Sequence, residues 1–165
     1  FCKFTLLEPY KQLYYNILIY RTPLIKLRLF DTKGKEVANT FYWRSNDKYE
    51  GRKTLTGPTS SGFEDLSKLK QVQLKTRYKA YQEGDRHFIK AEIKNPSSTV
   101  AFFTQLQLLD QDKKPVRPSF YTDNFFSLLP GESKTVIIET ATNDMPSEPT
   151  FVVKGWNIKS NNFKL

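Results

Sequence analysis

Two of the side chains that most often build chemical sites are nearly missing from this chain. It contains a single cysteine, Cys2, and a single histidine, His87. One cysteine excludes an intrachain disulfide and a thiolate zinc cluster, and one histidine excludes a histidine-rich metal site. His87 starts a predicted strand, where it is best interpreted as a surface residue rather than a catalyst. We therefore predict no metal and no cofactor.

Long apolar runs are also missing. The longest candidate, Leu13–Tyr20, is much shorter than the ~18–20 residues that a membrane helix needs. We therefore expect no membrane association. No signal-peptide pattern is present, and a chain that begins with Phe1 rather than Met leads us to expect the edge of a fragment. The sequence assigns no compartment.

Motifs for phosphate, calcium and glycoside chemistry are absent or incomplete. Gly57, Gly62 and Gly84 are isolated and form no phosphate loop. The run Asp110–Asp112 begins like a calcium loop but lacks the later glycine and glutamate. The nearest carboxylate pairs lie in or beside predicted turns, where Asp usually accepts backbone N–H bonds. These pairs are Glu64 with Asp65, Glu83 with Asp85, and Asp110 with Asp112. We predict no catalytic residue.

The chain is basic, with a formal net charge of +9. Such an excess permits attraction to nucleic acid, anionic lipid or acidic glycans. The basic residues are scattered singly and mostly alternate with apolar residues on predicted strands, which favours solvated strand faces. No recognised nucleic-acid motif or basic stripe accompanies the charge, so we predict no nucleic-acid partner.

The same hairpin is written twice in the sequence. Residues 27–42 read LRLFDTKGKEVANTFY, and residues 106–121 read LQLLDQDKKPVRPSFY. Each copy has an alternating apolar strand, a polar turn opened by Asp, and a second strand that ends in two aromatics. A repeat at this spacing favours two related β-modules in tandem, each of immunoglobulin-like size.

Residues 70–165 carry about seven short strands separated by turn signals, which is typical of an immunoglobulin-like sandwich. Two prolines mark Pro115–Thr122 as an edge segment. Phe151–Ile158 is the predicted last strand, with Trp156 on its core face. The inward positions on the second strand are Ile89, Ala91 and Ile93. We predict an all-β fold, an immunoglobulin-like antiparallel β-sandwich preceded by a partial second β-module.

Three segments follow from these patterns. Residues 1–43 are predicted to be the closing strands of a truncated immunoglobulin-like sandwich, because a complete sandwich does not fit there. Residues 44–69 are predicted to be a linker, because their first part, residues 44–63, is rich in Ser, Gly and Thr. Residues 70–165 are predicted to be a complete C-terminal sandwich.

One loop suggests binding, the run from Tyr121 to Phe126, in which rings stand beside Asp and Asn. Such a combination can stack on sugars and hydrogen-bond to them, so Tyr121, Asp123 and Asn124 are the candidate sugar-binding residues. The same residues also suit an ordinary edge loop that caps a sandwich, and this structural interpretation is favoured.

Several motifs occur in an order that resembles a known family. They are Leu29-Phe30-Asp31, Phe41-Tyr42-Trp43-Arg44-Ser45, Phe63-Glu64-Asp65-Leu66, Lys94-Asn95-Pro96-Ser97, the run Phe120–Ser133, and Gly155-Trp156-Asn157-Ile158. On these motifs, residues 24–160 resemble the C-terminal region of glycoside hydrolase family 2 enzymes, in the branch of exo-β-D-glucosaminidases and β-mannosidases.

The resemblance implies a role outside catalysis. In such enzymes a (β/α)₈ barrel of about 250 residues cuts the substrate between immunoglobulin-like sandwiches. The family's acid/base glutamate follows an asparagine, and no Asn-Glu pair occurs in this sequence. The implied role is a non-catalytic accessory module whose partner is the catalytic barrel of a secreted or periplasmic exoglycosidase acting on β-glucosaminide or β-mannoside bonds.

A free-standing carbohydrate-binding or adhesion module is the alternative, and it would take carbohydrate as its partner. The charge constrains both interpretations. Chitosan is a polycation, so a surface of +9 should not attract it.

Overall fold

The computed structural model describes residues 11–19, 22–43 and 64–165. In the described part of the chain, the regular secondary structure consists of antiparallel strands and two short 3₁₀ helices, which confirms the all-β prediction. The chain divides into two compact units, residues 1–69 and residues 70–165. That residues 1–43 close a truncated sandwich and residues 44–69 form a linker stays a prediction.

The first unit contains a three-stranded antiparallel sheet in the order β1-β2-β3. Its strands are β1 (Lys11–Ile19), β2 (Thr22–Phe30) and β3 (Glu36–Trp43). β2 and β3 form the first copy of the repeated hairpin. A short 3₁₀ helix, Glu64–Lys68, comes later in the chain.

The second unit is a sandwich of two four-stranded sheets. Its strands are β4 (Lys75–Glu83), β5 (Arg86–Lys94), β6 (Ala101–Leu109), β7 (Phe120–Tyr121), β8 (Phe126–Leu128), β9 (Ser133–Ala141), β10 (Thr150–Gly155) and β11 (Ile158–Lys164). One sheet has the order β4-β5-β9-β7, and the other has the order β11-β10-β6-β8. A 3₁₀ turn, Thr142–Asp144, follows β9. β7 lies at an edge, as the prolines predicted.

The core of the sandwich comes from period-two alternation on its strands. Ile89, Ala91 and Ile93 of β5 are buried as predicted, while the residues between them are exposed. Burying a side chain such as Ile or Leu contributes about 1.5–3 kcal/mol. The neighbouring strand β9 adds Val136 and Ile138 to the same cluster, and the opposite sheet adds Leu106, Leu108, Phe151 and Val153. The two sheets therefore share one continuous hydrophobic core.

The predicted last strand, Phe151–Ile158, is wrong in its second half. β10 ends at Gly155, the chain turns at Trp156 and Asn157, and β11 follows. A side chain at Gly155 would bring its Cβ to 2.8 Å from the Phe103 carbonyl oxygen, so the turn needs glycine there. Trp156 consequently lies in a turn and is 61% exposed rather than in the core.

The two copies of the repeated hairpin share one turn geometry. Asp31 Oδ1 accepts the backbone N–H groups two and four residues later, at 2.9 and 2.8 Å. Asp110 Oδ1 accepts the corresponding pair at 2.9 and 2.8 Å. Both carboxylates therefore stabilise their own turns, which agrees with the interpretation of Asp110 and Asp112 as turn residues.

After the turn the copies diverge. In the first copy β3 stays paired with β2 from Glu36 to Trp43, with one bulge where Val37 has no partner. In the second copy the chain forms a single bridge between Leu109 and Pro115, then crosses to the other sheet, where β7 pairs with β9. Pro115 and Pro118 have no N–H to donate to a ladder, so a continuous second strand is disfavoured.

The shared turn yields a stability prediction. Its left-handed position is Gly34 in the first copy (φ +79°) and Lys113 in the second (φ +62°). A non-glycine residue in this region is strained by about 1–2 kcal/mol. Lys113→Gly should therefore raise the free energy of unfolding by about 0.5–1 kcal/mol after the entropy of glycine in the unfolded chain is counted. Urea unfolding followed by circular dichroism measures the change.

The matched control is Lys114→Gly, one residue along, where φ is not positive. Glycine there adds unfolded-state entropy and removes only a highly exposed ion pair between Lys114 and Asp112, so it should lower stability. A loss of stability in Lys113→Gly equal to that in Lys114→Gly would contradict the strain argument.

Candidate functional site

The candidate sugar-binding residues lie at the corner where the chain returns from β7 to β8. Tyr121 ends β7, and Asp123 and Asn124 belong to the connecting loop. Tyr121 and Asn124 line a shallow pocket of about 190 Å³ beside β6, whereas Asp123 is not part of its lining. The structure therefore brings two of the three predicted residues together and places the third beside them.

Asn124 replaces a missing strand partner. β8 pairs with β6 only at Ala101 and Thr104, so the ladder stops before Leu106. Asn124 Oδ1 accepts the Leu106 N–H at 2.8 Å, and its Nδ2 donates to the Leu106 carbonyl at 3.0 Å. A primary amide has the donor and the acceptor of a peptide group. The side chain therefore continues the ladder by one step.

Tyr121 satisfies the next step of the same edge. The Leu108 N–H donates to the Tyr121 hydroxyl oxygen at 3.0 Å, and the Leu108 carbonyl accepts the Val116 N–H at 2.9 Å. Burial raises the pKa of Tyr121, and hydrogen bonds with Leu108 and Ser119 oppose that rise without cancelling it. The hydroxyl is thus kept neutral and acts as a structural acceptor.

Asp123 is also engaged with its surroundings. One carboxylate oxygen accepts the Asn124 N–H at 2.7 Å, and the other forms an ion pair with Lys134. The Lys134 ammonium lies 5.0 Å from the centre of the Phe126 ring, within cation–π range. A partly exposed pair of this kind contributes about 0–1 kcal/mol. Its main effect is to fix the loop.

These contacts match the edge-loop interpretation of the corner. Each predicted sugar-binding side chain has a partner in the sandwich, and the sugar-binding role of Tyr121, Asp123 and Asn124 stays a prediction. The ring next in sequence, Phe125, is 51% exposed and lies 5.7 Å from Phe103, centre to centre. Phe125 therefore exposes an apolar ring directly after Asn124, although it is not part of the pocket lining.

Asn157 is a second structural amide, and sequence reasoning missed it. It is 4% exposed in the turn between β10 and β11. Its Nδ2 donates to the carbonyls of Lys70 and Val100 at 2.9 and 2.8 Å, and its Oδ1 accepts the Phe102 N–H at 2.8 Å. One side chain thus ties the entry of the unit to the start of β6. Only the preceding Gly155 signals a turn there.

Asn95 is the third such amide and is fully buried after β5. Its Nδ2 donates to the carbonyls of Thr99 and Leu128 at 2.8 and 3.0 Å, and its Oδ1 accepts the Ser97 hydroxyl at 2.7 Å. In the sequence this residue stood out only as part of the motif Lys94-Asn95-Pro96-Ser97. Its contact with Leu128 joins residues that are far apart in sequence, so no pattern in the residues around Asn95 predicts it.

Among the described residues, no group of three or more His, Cys, Asp and Glu side chains could hold a metal ion. His87 is half-buried within β5. No helix in the described ranges has the length and the apolar character that crossing a bilayer requires.

The chain matches known proteins over most of its length. The model of the exo-β-D-glucosaminidase Ig-fold domain matches residues 54–158. The exo-β-D-glucosaminidase of Streptomyces avermitilis is 33% identical in an alignment of 146 positions that covers 82% of this chain and 16% of that enzyme. The exo-β-D-glucosaminidase of Amycolatopsis orientalis is 32% identical in an alignment of 148 positions that covers 82% of this chain and 14% of that enzyme.

Solved structures give the same likeness. The exo-chitosanase CsxA of Amycolatopsis orientalis superposes with a TM-score of 0.75 at 26% identity, covering 88% of this chain and 18% of that one. A variant of the same enzyme was solved in complex with PNP-β-D-glucosamine and has a TM-score of 0.74. The chain spans about a sixth of the length of these relatives.

Removing the Asn157 amide should destabilise the sandwich. Asn157→Ala leaves the Phe102 N–H and the Val100 carbonyl buried without a side-chain partner, and each unsatisfied group costs about 1–3 kcal/mol. We expect a loss of at least about 2 kcal/mol in urea unfolding. Asn162→Ala, at an exposed position on β11, is the control and should change stability by less than about 0.5 kcal/mol. Equal losses would refute the anchoring role.

The raised pKa of Tyr121 gives a pH prediction. The folded protein holds the phenol proton longer than the unfolded chain, so the contribution to stability is complete below the unfolded pKa of about 10 and is lost as the pH rises through the folded pKa. Tyr121→Phe should flatten this alkaline loss, although it also weakens the fold at neutral pH by depriving the Leu108 N–H of its acceptor. Unfolding followed from neutral to alkaline pH separates the two effects, and an unchanged alkaline slope would contradict the first.

Proposed function

The chain belongs to the exo-β-D-glucosaminidase Ig-fold domain family, and from this membership we propose that it is a non-catalytic module that braces the catalytic part of a larger exoglycosidase. The observation that carries the proposal is how small a part of the related enzymes this chain matches. The match takes in most of this chain but only 16% and 14% of the length of the two enzymes. Most of the machinery of such an enzyme therefore lies outside the matched region.

The carboxylates of the second unit support a structural role. Glycoside cleavage uses two carboxyl groups roughly 5–9.5 Å apart across the scissile bond, with protons moving at one of them. Here Asp110 closes its own turn, Glu132 accepts the Leu129 N–H at 2.8 Å, and Glu139 pairs with Arg86. Carboxylates held in this way stabilise the sandwich and are poorly placed to exchange protons with a substrate.

The proposed parent enzyme acts on β-D-glucosaminides. Both curated relatives are named for that activity, and the related exo-chitosanase was solved with an aryl glucosaminide. The β-mannoside activity expected from the wider family is the second choice, since no relative named above carries it. The partner of this chain is then the catalytic part of its own parent, which we expect to be a (β/α)₈ barrel.

Charge supports a bracing role over substrate capture. A glucosamine unit carries an amine that is protonated near neutral pH, and the chain has a net charge of +9. Like charges repel, so a basic module does not concentrate a cationic polymer at its surface. Recognition of such a substrate belongs to the catalytic part.

A free-standing carbohydrate-binding or adhesion module is the second candidate. It is favoured by the exposed ring of Phe125, which directly follows Asn124 of the pocket lining. If the chain is only a brace, any weak affinity of the chain for neutral oligosaccharides should be the same before and after Asp123→Ala is combined with Phe125→Ala. A loss of measurable affinity in this pair would favour the binding module.

The proposed function is tested by size and turnover together. The native polypeptide, detected in its source with an antibody to residues 70–165, should have a mass of about 80–100 kDa, the sum of a barrel and several sandwiches. The purified chain should hydrolyse neither p-nitrophenyl β-D-glucosaminide nor p-nitrophenyl β-D-mannoside. Turnover by the chain alone would sink the proposal, and a native mass near 19.3 kDa would leave only the binding module.

A further inference from the structure

The outer face of the sheet β4-β5-β9 carries an unusual arrangement of charge. Across β4 and β5, Lys75 lies directly opposite Lys94, and Lys79 lies directly opposite Lys90. Between these two like-charged pairs, Arg77 lies opposite Glu92. All six side chains are exposed. Together these six residues form the basic face, which has five cations and one carboxylate.

This pairing works against the sheet that contains it. Like charges directly opposite one another on antiparallel strands are destabilising, and opposite charges are the favourable choice. In the described part of the chain, ion pairs within 4.0 Å join other residues, such as Arg86 to Glu139 on the same sheet, and none joins members of the basic face. The positive charge of this face is therefore not balanced by the described side chains.

A groove lies at the end of the basic face that holds Lys75 and Lys94, and Lys79 and Lys90 lie on the same face beyond its lining. Its volume is about 530 Å³, within the range of sites that hold small organic ligands. Lys75, Arg77, Lys94 and Glu92 line it from the strands, and Gly131 and Ser133 line it from the turn before β9. A single inorganic ion would occupy a small part of this volume. The groove therefore suits a larger ligand that carries several anionic groups.

We propose that the basic face binds an acidic oligosaccharide, with one carboxylate or sulfate group seated at each lysine pair. Lys75 and Lys79 are four residues apart on β4, which places them roughly 13 Å apart at ~3.3 Å per residue. A chain with anionic groups at a similar interval could neutralise both pairs at once. The proposal rests on the geometry of this sheet and does not depend on the bracing role.

Other polyanions fit the face less well. Duplex nucleic acid is read by a helix or a β-ribbon inserted into a groove, and this is a sheet face. Single strands stack on open rings, whereas Tyr81 and Phe88 on the same face stack on each other at 5.3 Å and are half-buried. Protein interfaces are depleted in Lys and Glu and enriched in aromatic residues, unlike this groove.

Binding is tested on the full chain by isothermal titration calorimetry with three hexasaccharides. One is derived from heparin and carries sulfate and carboxylate, one is an oligogalacturonate with carboxylate only, and one is neutral maltohexaose. We expect an acidic probe to bind and maltohexaose not to bind. Binding of both acidic probes assigns carboxylate as a sufficient group, and binding of the heparin probe alone assigns sulfate. Affinity should fall at least about tenfold from roughly 50 to 200 mM salt.

A charge-removing variant locates the site. Lys75→Gln with Lys94→Gln should weaken the acidic probe at least about tenfold, or about 1.4 kcal/mol. The matched control, Lys159→Gln with Lys164→Gln on β11, removes the same charge from the other sheet and should change affinity less than about twofold. Both variants alter exposed side chains, and the melting temperature of the first should stay level or rise because a like-charged pair is lost.

Three results would overturn the proposal. The first is an absence of binding to both acidic hexasaccharides at millimolar concentration. The second is an equal loss of affinity in the two double variants, which would reduce the effect to net charge. The third is tighter binding of polyglutamate, single-stranded DNA or anionic lipid vesicles than of the acidic hexasaccharides, since each would assign the face to a different class of partner.

Discussion

A side-chain amide that takes the place of a peptide group is the interaction on which the sandwich of the second unit depends. β8 is short, β10 stops at a turn, and β5 is followed by the fully buried Asn95. Each of these strand ends leaves backbone N–H and C=O groups that must find hydrogen-bond partners. Asn124, Asn157 and Asn95 supply those partners. Asparagine suits the task because its short side chain carries donor and acceptor together and holds them close to the main chain.

This use of polar side chains separates structure from function on the molecule. The corner formed by Tyr121 and Asn124 looks chemical in the sequence, yet its hydrogen-bonding atoms face β6 and complete the edge of the sheet. The basic face makes no such contribution, and its opposed lysines oppose the stability of the sheet. Function is often maintained at a cost in stability, so the proposed ligand belongs on the sheet face and not at the corner.

What the sequence predicted correctly was local. The inward set Ile89, Ala91 and Ile93 follows from period-two alternation, and the role of Asp110 follows from turn chemistry within four residues. Trp156 was misplaced because alternation holds only while a strand continues, and a turn ends this one after Gly155. The basic face could not be predicted either. Its lysines are scattered singly in sequence and become neighbours only through the cross-strand register of β4 and β5.

The repeated hairpin shows why sequence similarity within the chain did not translate into repeated structure. The turn is set by contacts within five residues, and both copies form it alike. The partner of the returning strand is set by distant residues and by which N–H groups are available to donate. Prolines remove donors from the second copy, so its chain leaves β6 and joins β9 on the opposite sheet. That crossing carries Tyr121 back against β6, where its hydroxyl bonds to the main chain and links the two sheets.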